Sequence, residues 1–289
     1  MMRKATISLL GNAFLAAHVL LFSLGCSSLV VTPLLDSLTF SLQKQTDLQL
    51  LRDGAPSLLL LLDGLIAGDP DNKILLIAAT KAYGAYAATL FEDGNIERAA
   101  NMSIKARDYG TNLISQLPGL KNINGQTLNK IEEALERTSP GQADSLFWGA
   151  YGWATWIQYQ DGAPAAMADL PIVELIMLRV VKLDESYYYG GAHIFLGAYY
   201  GSRPLIYGGK PEASHKHFER ALALNKRLFL LTHVSYAQTY ARIMFDRELY
   251  LKLLTEVIEQ PLTDSEIASS NKLAKIMAEK LINQVDEYF

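Results

Sequence analysis

Residues 193–225 read HIFLGAYYGSRPLIYGGKPEASHKHFERALALN, and this stretch decides the fold. His193, Leu196, Gly197 and Tyr200 recur at the three- and four-residue spacing of one helix face. A Gly-Pro-rich turn follows, and Phe218 and Ala221 then repeat the spacing on a second helix. Gly197 and Ala221 are small enough to let the two helices approach. Tyr200 and Phe218 are large enough to fill the groove between them. Ser214, early in the second helix, is small for the same reason. The stretch predicts an antiparallel helical hairpin.

Weaker copies lie on both sides. Gly94, Ile96, Ala99 and Ala106 repeat the second-helix pattern, and so do Leu170, Val173, Met177 and Val180. His233, Tyr236, Ala237 and Tyr240 repeat the first. Large-Leu-Gly-Tyr followed by Gly, an aromatic and Ala is the tetratricopeptide pattern. The units differ in length, so the array is divergent. From about Leu38 onward no sustained two-residue alternation occurs. Breaks are expected at Gly54-Ala55-Pro56, Gly68-Asp69-Pro70, Asp93-Gly94, Leu117-Pro118-Gly119, Pro140-Gly141, Asp184, Gly208-Gly209 and Gln260-Pro261. The expected fold is all-α, an α-solenoid of divergent tetratricopeptide-like hairpins with about twelve helices, over a single domain at residues 37–289.

The N-terminus has another character. Arg3 and Lys4 precede a largely apolar run from Ile7 to Leu24, which ends in small residues and Cys26, the one cysteine of the 289-residue chain. This order reads as a lipoprotein-type signal peptide over residues 1–25, with Cys26 as the lipid attachment site and residues 26–36 as a tether. Ser23 and Leu24 are exchanged relative to the usual lipoprotein signal, so an uncleaved anchor or ordinary cleavage nearby stays open. Acyl chains bury about 0.8 kcal/mol per methylene, and two or three would hold the protein at a membrane. The expected location is the periplasmic side of a bacterial membrane, inner or outer.

Composition narrows the function. Half of the residues are apolar and 19% are charged, which argues against disorder. A net charge of −4 gives no basic field for nucleic acid. One cysteine forms no intramolecular disulfide. The chain has no His-Glu-x-x-His, no Gly-x-Ser-x-Gly and no phosphate loop. His215 and His217 diverge on a helix and cannot share a metal. No enzyme activity, metal or cofactor is expected.

The candidate binding residues are aromatic. Trp148 and Tyr151 share a helix face, and Tyr189, His193 and Tyr200 stand on the first helix of the best hairpin. Arg203 follows at its end, where its fork suits a carboxylate. Tyr and Trp join apolar area to a polar handle, which suits a half-wet groove. The expectation is that Trp148, Tyr189, Tyr200 and Arg203 line one cavity, with Tyr151 and His193 near it. The competing reading is packing: interhelical aromatics, a packed histidine, and an Arg203 salt bridge to Asp53 or another acid. Tyr187, Tyr188 and Tyr189 cannot all be buried on one helix face. The same aromatic, low-charge surface is compatible with a homo-oligomer or with a large core.

Three segments are more particular than the repeat. They are Gln45-Thr46-Asp47 through Arg52-Asp53-Gly54-Ala55-Pro56, Leu61-Leu62-Asp63-Gly64-Leu65, and Tyr188-Tyr189-Gly190-Gly191-Ala192-His193 through Ser202-Arg203-Pro204. With Gly208-Gly209-Lys210-Pro211 and Asp286-Glu287-Tyr288-Phe289 they resemble the T component associated with TRAP transporters, over about residues 37–289. The resemblance implies a tetratricopeptide-like lipoprotein that accompanies a periplasmic solute-binding protein and an ion-driven permease. It therefore implies a transport accessory that docks the solute-binding subunit and handles a small organic ligand. The alternative is a periplasmic scaffold binding peptides or envelope-assembly proteins.

Overall fold

The computed structural model describes residues 26–289, and the expected signal peptide at 1–25 lies outside them. The described residues form helices and turns, with no strand among them. The longer helices are α1 (Cys26–Lys44), α2 (Leu48–Gly68), α3 (Lys73–Glu92), α4 (Ile96–Ser115), α5 (Leu128–Glu136) and α6 (Ala143–Gln158). They continue as α7 (Leu170–Asp184), α8 (Tyr187–Gly201), α9 (Pro211–Leu224), α10 (Leu231–Tyr236), α11 (Arg247–Glu259) and α12 (Ala268–Asn283). A π-turn over Ala237–Ala241 extends α10. The all-α expectation holds.

Most of the expected breaks separate helices, for physical reasons that recur. Asp47 caps α2 by accepting from the Gln49 and Leu50 amides, and Asn72 caps α3 in the same way. Gly94 and Gly208 supply positive φ in the turns before α4 and α9. One break was misplaced. Gly54-Ala55-Pro56 lies inside α2, which runs unbroken to Gly68. The amide that Pro56 lacks leaves the Arg52 carbonyl free, but Arg52, Asp53 and Gly54 are exposed. Leu59, Leu62 and Ile66 beyond the proline are buried and hold the helix on its course. The stretch expected as a tether is helical as well: residues 26–36 begin α1, and Leu35 enters the core.

The helices pack largely with their neighbours in sequence, and close approach is licensed by small residues. A Cβ on Gly152 would lie 2.3 Å from the Ala106 carbonyl oxygen, and one on Gly149 2.8 Å from that of Gly110, so α4 and α6 meet backbone to backbone. In the α8–α9 hairpin the Phe218 ring lies against the Gly197 Cα face, and Ser214 Oγ donates to the Gly197 carbonyl at 2.7 Å. Phe218 and Ala221 are fully buried, as the pattern required. The core forms two clusters, one built largely on α2–α8 and one on α9–α12; α8 serves both, with Leu196 and Tyr200 in the first and Ile194 and Ala198 against the second.

The chain also closes on itself. The last long helix, α12, packs on α1 and α2. Lys44 of α1 pairs with Asp264 at 3.1 Å, and Lys280 of α12 with Glu92 of α3 at 3.5 Å. Both pairs are exposed and contribute little by themselves. Their value here is as markers that the first and last of the described helices meet.

Gly197→Leu should destabilise the protein by about 1–3 kcal/mol, because a side chain there must displace the Phe218 ring. Urea unfolding measures it. An unchanged midpoint would mean that the hairpin separates without cost.

Candidate functional site

Closure of the ends gathers distant segments around one open cleft of about 410 Å³. Its walls come from Gln43 of α1, Lys81 of α3, Trp148 of α6, Ser186 to Tyr189 at the start of α8, Leu224 and Asn225 at the end of α9, and Glu266 before α12. Two of the expected residues, Trp148 and Tyr189, are therefore in one wall system.

The tyrosine run owes its place to an unusual backbone. Tyr188, Tyr189 and Gly190 have φ of 47°, 62° and 76°, so the chain makes a left-handed turn at the head of α8. Each tyrosine in this conformation costs on the order of 1–2 kcal/mol. The surroundings hold it there. Asn225 Nδ2 donates to the Tyr189 carbonyl at 3.2 Å, and the Gly190 amide donates to the Ser186 carbonyl. A Cβ on Gly191 would meet the Phe147 ring at 2.6 Å. The turn thereby sends three successive tyrosines into one aromatic cluster, which a right-handed helix would not do. Tyr188 packs edge-on to Trp148 at 4.6 Å between ring centres, and Tyr189 stacks on Phe229 at 4.9 Å. Tyr187 Oη accepts from Trp148 Nε1 at 2.9 Å. Burial pushes the Tyr187 hydroxyl up to about 12 and raises that of Tyr188 further, so all stay neutral donors.

Lys81 enters the same cluster from α3. Its ammonium lies 4.7 Å from the Trp148 ring centre and 5.7 Å from that of Tyr188. Burial lowers its affinity for the proton. Spacing arguments did not single it out, although a signal was present: Lys81 is the one charge inside an otherwise apolar helix. Asn225 was missed too. Its side chain is buried between Tyr189 and Thr232, with Oδ1 lacking a partner among the described residues.

The other expected residues do not join the cleft. Tyr151 sits one turn along from Trp148, its ring against the Cα of Gly84, and packs α6 onto α3. Tyr200 stands at the far end of α8, roughly 15 Å along the axis from Gly190. It is buried and donates to Glu174 at 2.6 Å, which ties α8 to α7. Arg203 lies beyond it with its guanidinium 4.9 Å from the Tyr199 ring centre, and makes no ion pair among the described residues. The expected single cavity around Trp148, Tyr189, Tyr200 and Arg203 is therefore split by the length of α8. The competing reading, an Arg203 bridge to Asp53 or another acid, is not met among the described residues either, and Asp53 instead accepts from Gln49 at 2.9 Å.

His193 is a packed histidine. Its Nδ1 lies 2.8 Å from His217 Nδ1, so one ring donates and the other accepts. Its Nε2 is 3.4 Å from Glu185, which in turn pairs with Arg220. His215, by contrast, turns to the Tyr236 hydroxyl, and the two histidines of α9 have separate partners as their spacing required. Burial, and then the neighbouring His193, lowers His217 from 6.5 to about 4. In the unfolded chain His217 takes up its proton near 6.5, so between these values the unfolded state binds more protons and stability falls as pH drops. His217→Gln should flatten that acid slope in urea titrations between pH 6.5 and 4. A slope unchanged by the substitution would show that the folded pair protonates freely.

Among curated proteins none matches the chain. The family model described as the TRAP transporter T-component matches residues 44–289, which includes α2–α12 and every residue of the cleft except Gln43. The chain thus belongs to the TRAP transporter T-component family.

Proposed function

We propose that this protein is a lipid-anchored periplasmic accessory that docks the solute-binding subunit of a TRAP system and holds a small organic ligand in the α3–α6–α8 cleft. Membership of the T-component family supports an accessory role in TRAP transport. The observation that carries the ligand reading is the cleft itself. Six separated segments converge on it, and a strained left-handed turn lines it with tyrosines. Strain of this kind is retained where surrounding structure imposes it, and it concentrates at ligand clamps and switch regions. The cleft falls within the size range of small-molecule sites, about 300–1,000 Å³. Tyr187, Tyr188 and Tyr189, half-buried against the buried Trp148 ring, offer apolar faces edged by polar groups. The ligand and the solute-binding subunit are gripped without chemistry, so the role is binding and transfer.

The anchor belongs to the same reading. Cys26 is the first residue of α1, and acyl chains there would place the cleft close to the membrane that carries the permease.

Cells expressing tagged wild type and Cys26→Ser should both yield the TRAP solute-binding subunit on capture, while only the wild type fractionates with membranes. Mass spectrometry of the captured complex reads any retained small molecule. Capture of envelope-assembly factors in place of the subunit would overturn the transport reading, and membrane retention of Cys26→Ser would overturn the lipid anchor.

A further inference from the structure

We infer that the turn at residues 202–210, between α8 and α9, is the contact that grips the solute-binding subunit. Arg203 receives a carboxylate of that subunit, and Leu205 and Ile206 enter an apolar recess beside it. This deepens the proposed function and rests on its reading of the protein as a docking accessory; it does not depend on what the cleft holds.

The turn is fixed in shape yet buries little of its own apolar surface. The Lys210 amide donates to the Tyr200 carbonyl at 2.9 Å, the Gly209 amide to that of Pro204 at 3.1 Å and the Gly208 amide to that of Leu205 at 3.0 Å. Gly208 has a φ of 80°, and a Cβ on Gly209 would lie 1.8 Å from the Arg203 carbonyl oxygen. The two glycines therefore close the loop, and Leu205–Tyr207 form a single 3-10 turn at its tip. Leu205 and Ile206 are nevertheless 70% and 83% exposed, Ile206 more than any other large aliphatic side chain among the described residues. A held backbone that displays branched apolar side chains loses little entropy when a partner covers them.

Arg203 adds a charge without a partner. It is half-buried, its guanidinium stacks over the Tyr199 ring, and it makes no ion pair or side-chain hydrogen bond among the described residues. Its Nε is the one buried arginine nitrogen left unmet among them. Glu174, the acid beside Tyr200, is already held by Tyr200 and Lys210. A planar fork with five donors is matched by a carboxylate, and arginine beside well-packed apolar contacts is a common centre of binding energy.

Charge selects the occupant. Residues 202–210 carry Arg203 and Lys210 and no acid, in a chain of net charge −4. The same turn on a second copy would meet it with like charge. An anionic bilayer is drawn by clusters of cations, and with Lys210 engaged by Glu174 the turn offers Arg203 alone. A carboxylate set beside an apolar recess on a folded partner satisfies both features, and T-component family membership supports association with other TRAP subunits. Tyr200 already stands roughly 15 Å along α8 from Gly190, and the turn lies beyond it, so docking here leaves the cleft open.

Titration of the detergent-solubilised protein onto the immobilised solute-binding subunit of the same system tests the inference. Arg203→Gln and Ile206→Ser should each weaken binding at least about tenfold. Added salt should weaken the wild type more than Arg203→Gln. Leu60→Ser, at a comparably exposed leucine on α2, should bind as the wild type does. Ile206→Ser removes an exposed side chain and should keep the urea midpoint, so its loss of binding cannot come from unfolding. Unchanged affinity in both turn variants would overturn the inference, as would an equal loss in Leu60→Ser. So would unchanged subunit affinity in Ile206→Ser combined with loss of self-association or of binding to phosphatidylglycerol vesicles. Wild type that binds the subunit while the turn variants bind equally well removes the turn alone; wild type that does not bind the subunit removes the docking reading as well.

Discussion

The cleft depends on a left-handed turn that two tyrosines would not adopt unaided. Tyr188 and Tyr189 carry positive φ on side chains that disfavour it, and only Gly190 is suited to the conformation. The turn persists because its alternatives are worse. Rewinding it into α8 would cost Tyr189 the Asn225 hydrogen bond and pull Tyr188 out of contact with Trp148, Phe147 and Phe229. Packing at the head of α8 thus imposes a backbone that in turn aims the rings. A strained segment held from several sides has a fixed geometry, which a binding surface requires.

Contact between the first and last described helices supplies the rest of the walls. Close backbone approach at Gly149 and Gly152 brings α6 onto α4, so Trp148 on α6 comes to stand beside Lys81 on α3. The docking of α12 against α1 and α2 then brings Glu266 and Gln43 to the same opening. Small residues in the helix contacts, far from the cleft, therefore decide which side chains share it.

The sequence disclosed the helices better than the site. Turn chemistry at Asp69-Pro70, Asp93-Gly94 and Pro118-Gly119 is local, so those boundaries are written where they act. Gly197, Phe218 and Ala221 were readable because both partners lie in one hairpin, where periodicity applies. Pro56 misled because the burial of Leu59, Leu62 and Ile66 outweighs one missing hydrogen bond, and burial is not a local property. The groove residues failed for a related reason. Trp148 and Tyr189 meet across helices that spacing cannot relate, while Tyr200 and Arg203 lie on the right helix but beyond reach along its axis. Lys81 was visible as an isolated charge in an apolar helix, and only the tertiary structure places it against the Trp148 and Tyr188 rings. Left-handed φ at two tyrosines contradicts local preference, and such contradictions are expected at functional positions.

The cleft stands on the backbone at Tyr188 and Tyr189, and nuclear magnetic resonance measures that backbone directly. Positive φ brings each amide proton close to its own α-proton. Both tyrosines should therefore show strong intraresidue amide-to-α nuclear Overhauser effects, together with contacts from the Tyr188 ring to Trp148. Weak intraresidue effects, with the sequential amide pattern of a right-handed helix unbroken from Ser186 to Gly201, would contradict the turn and the cleft built on it.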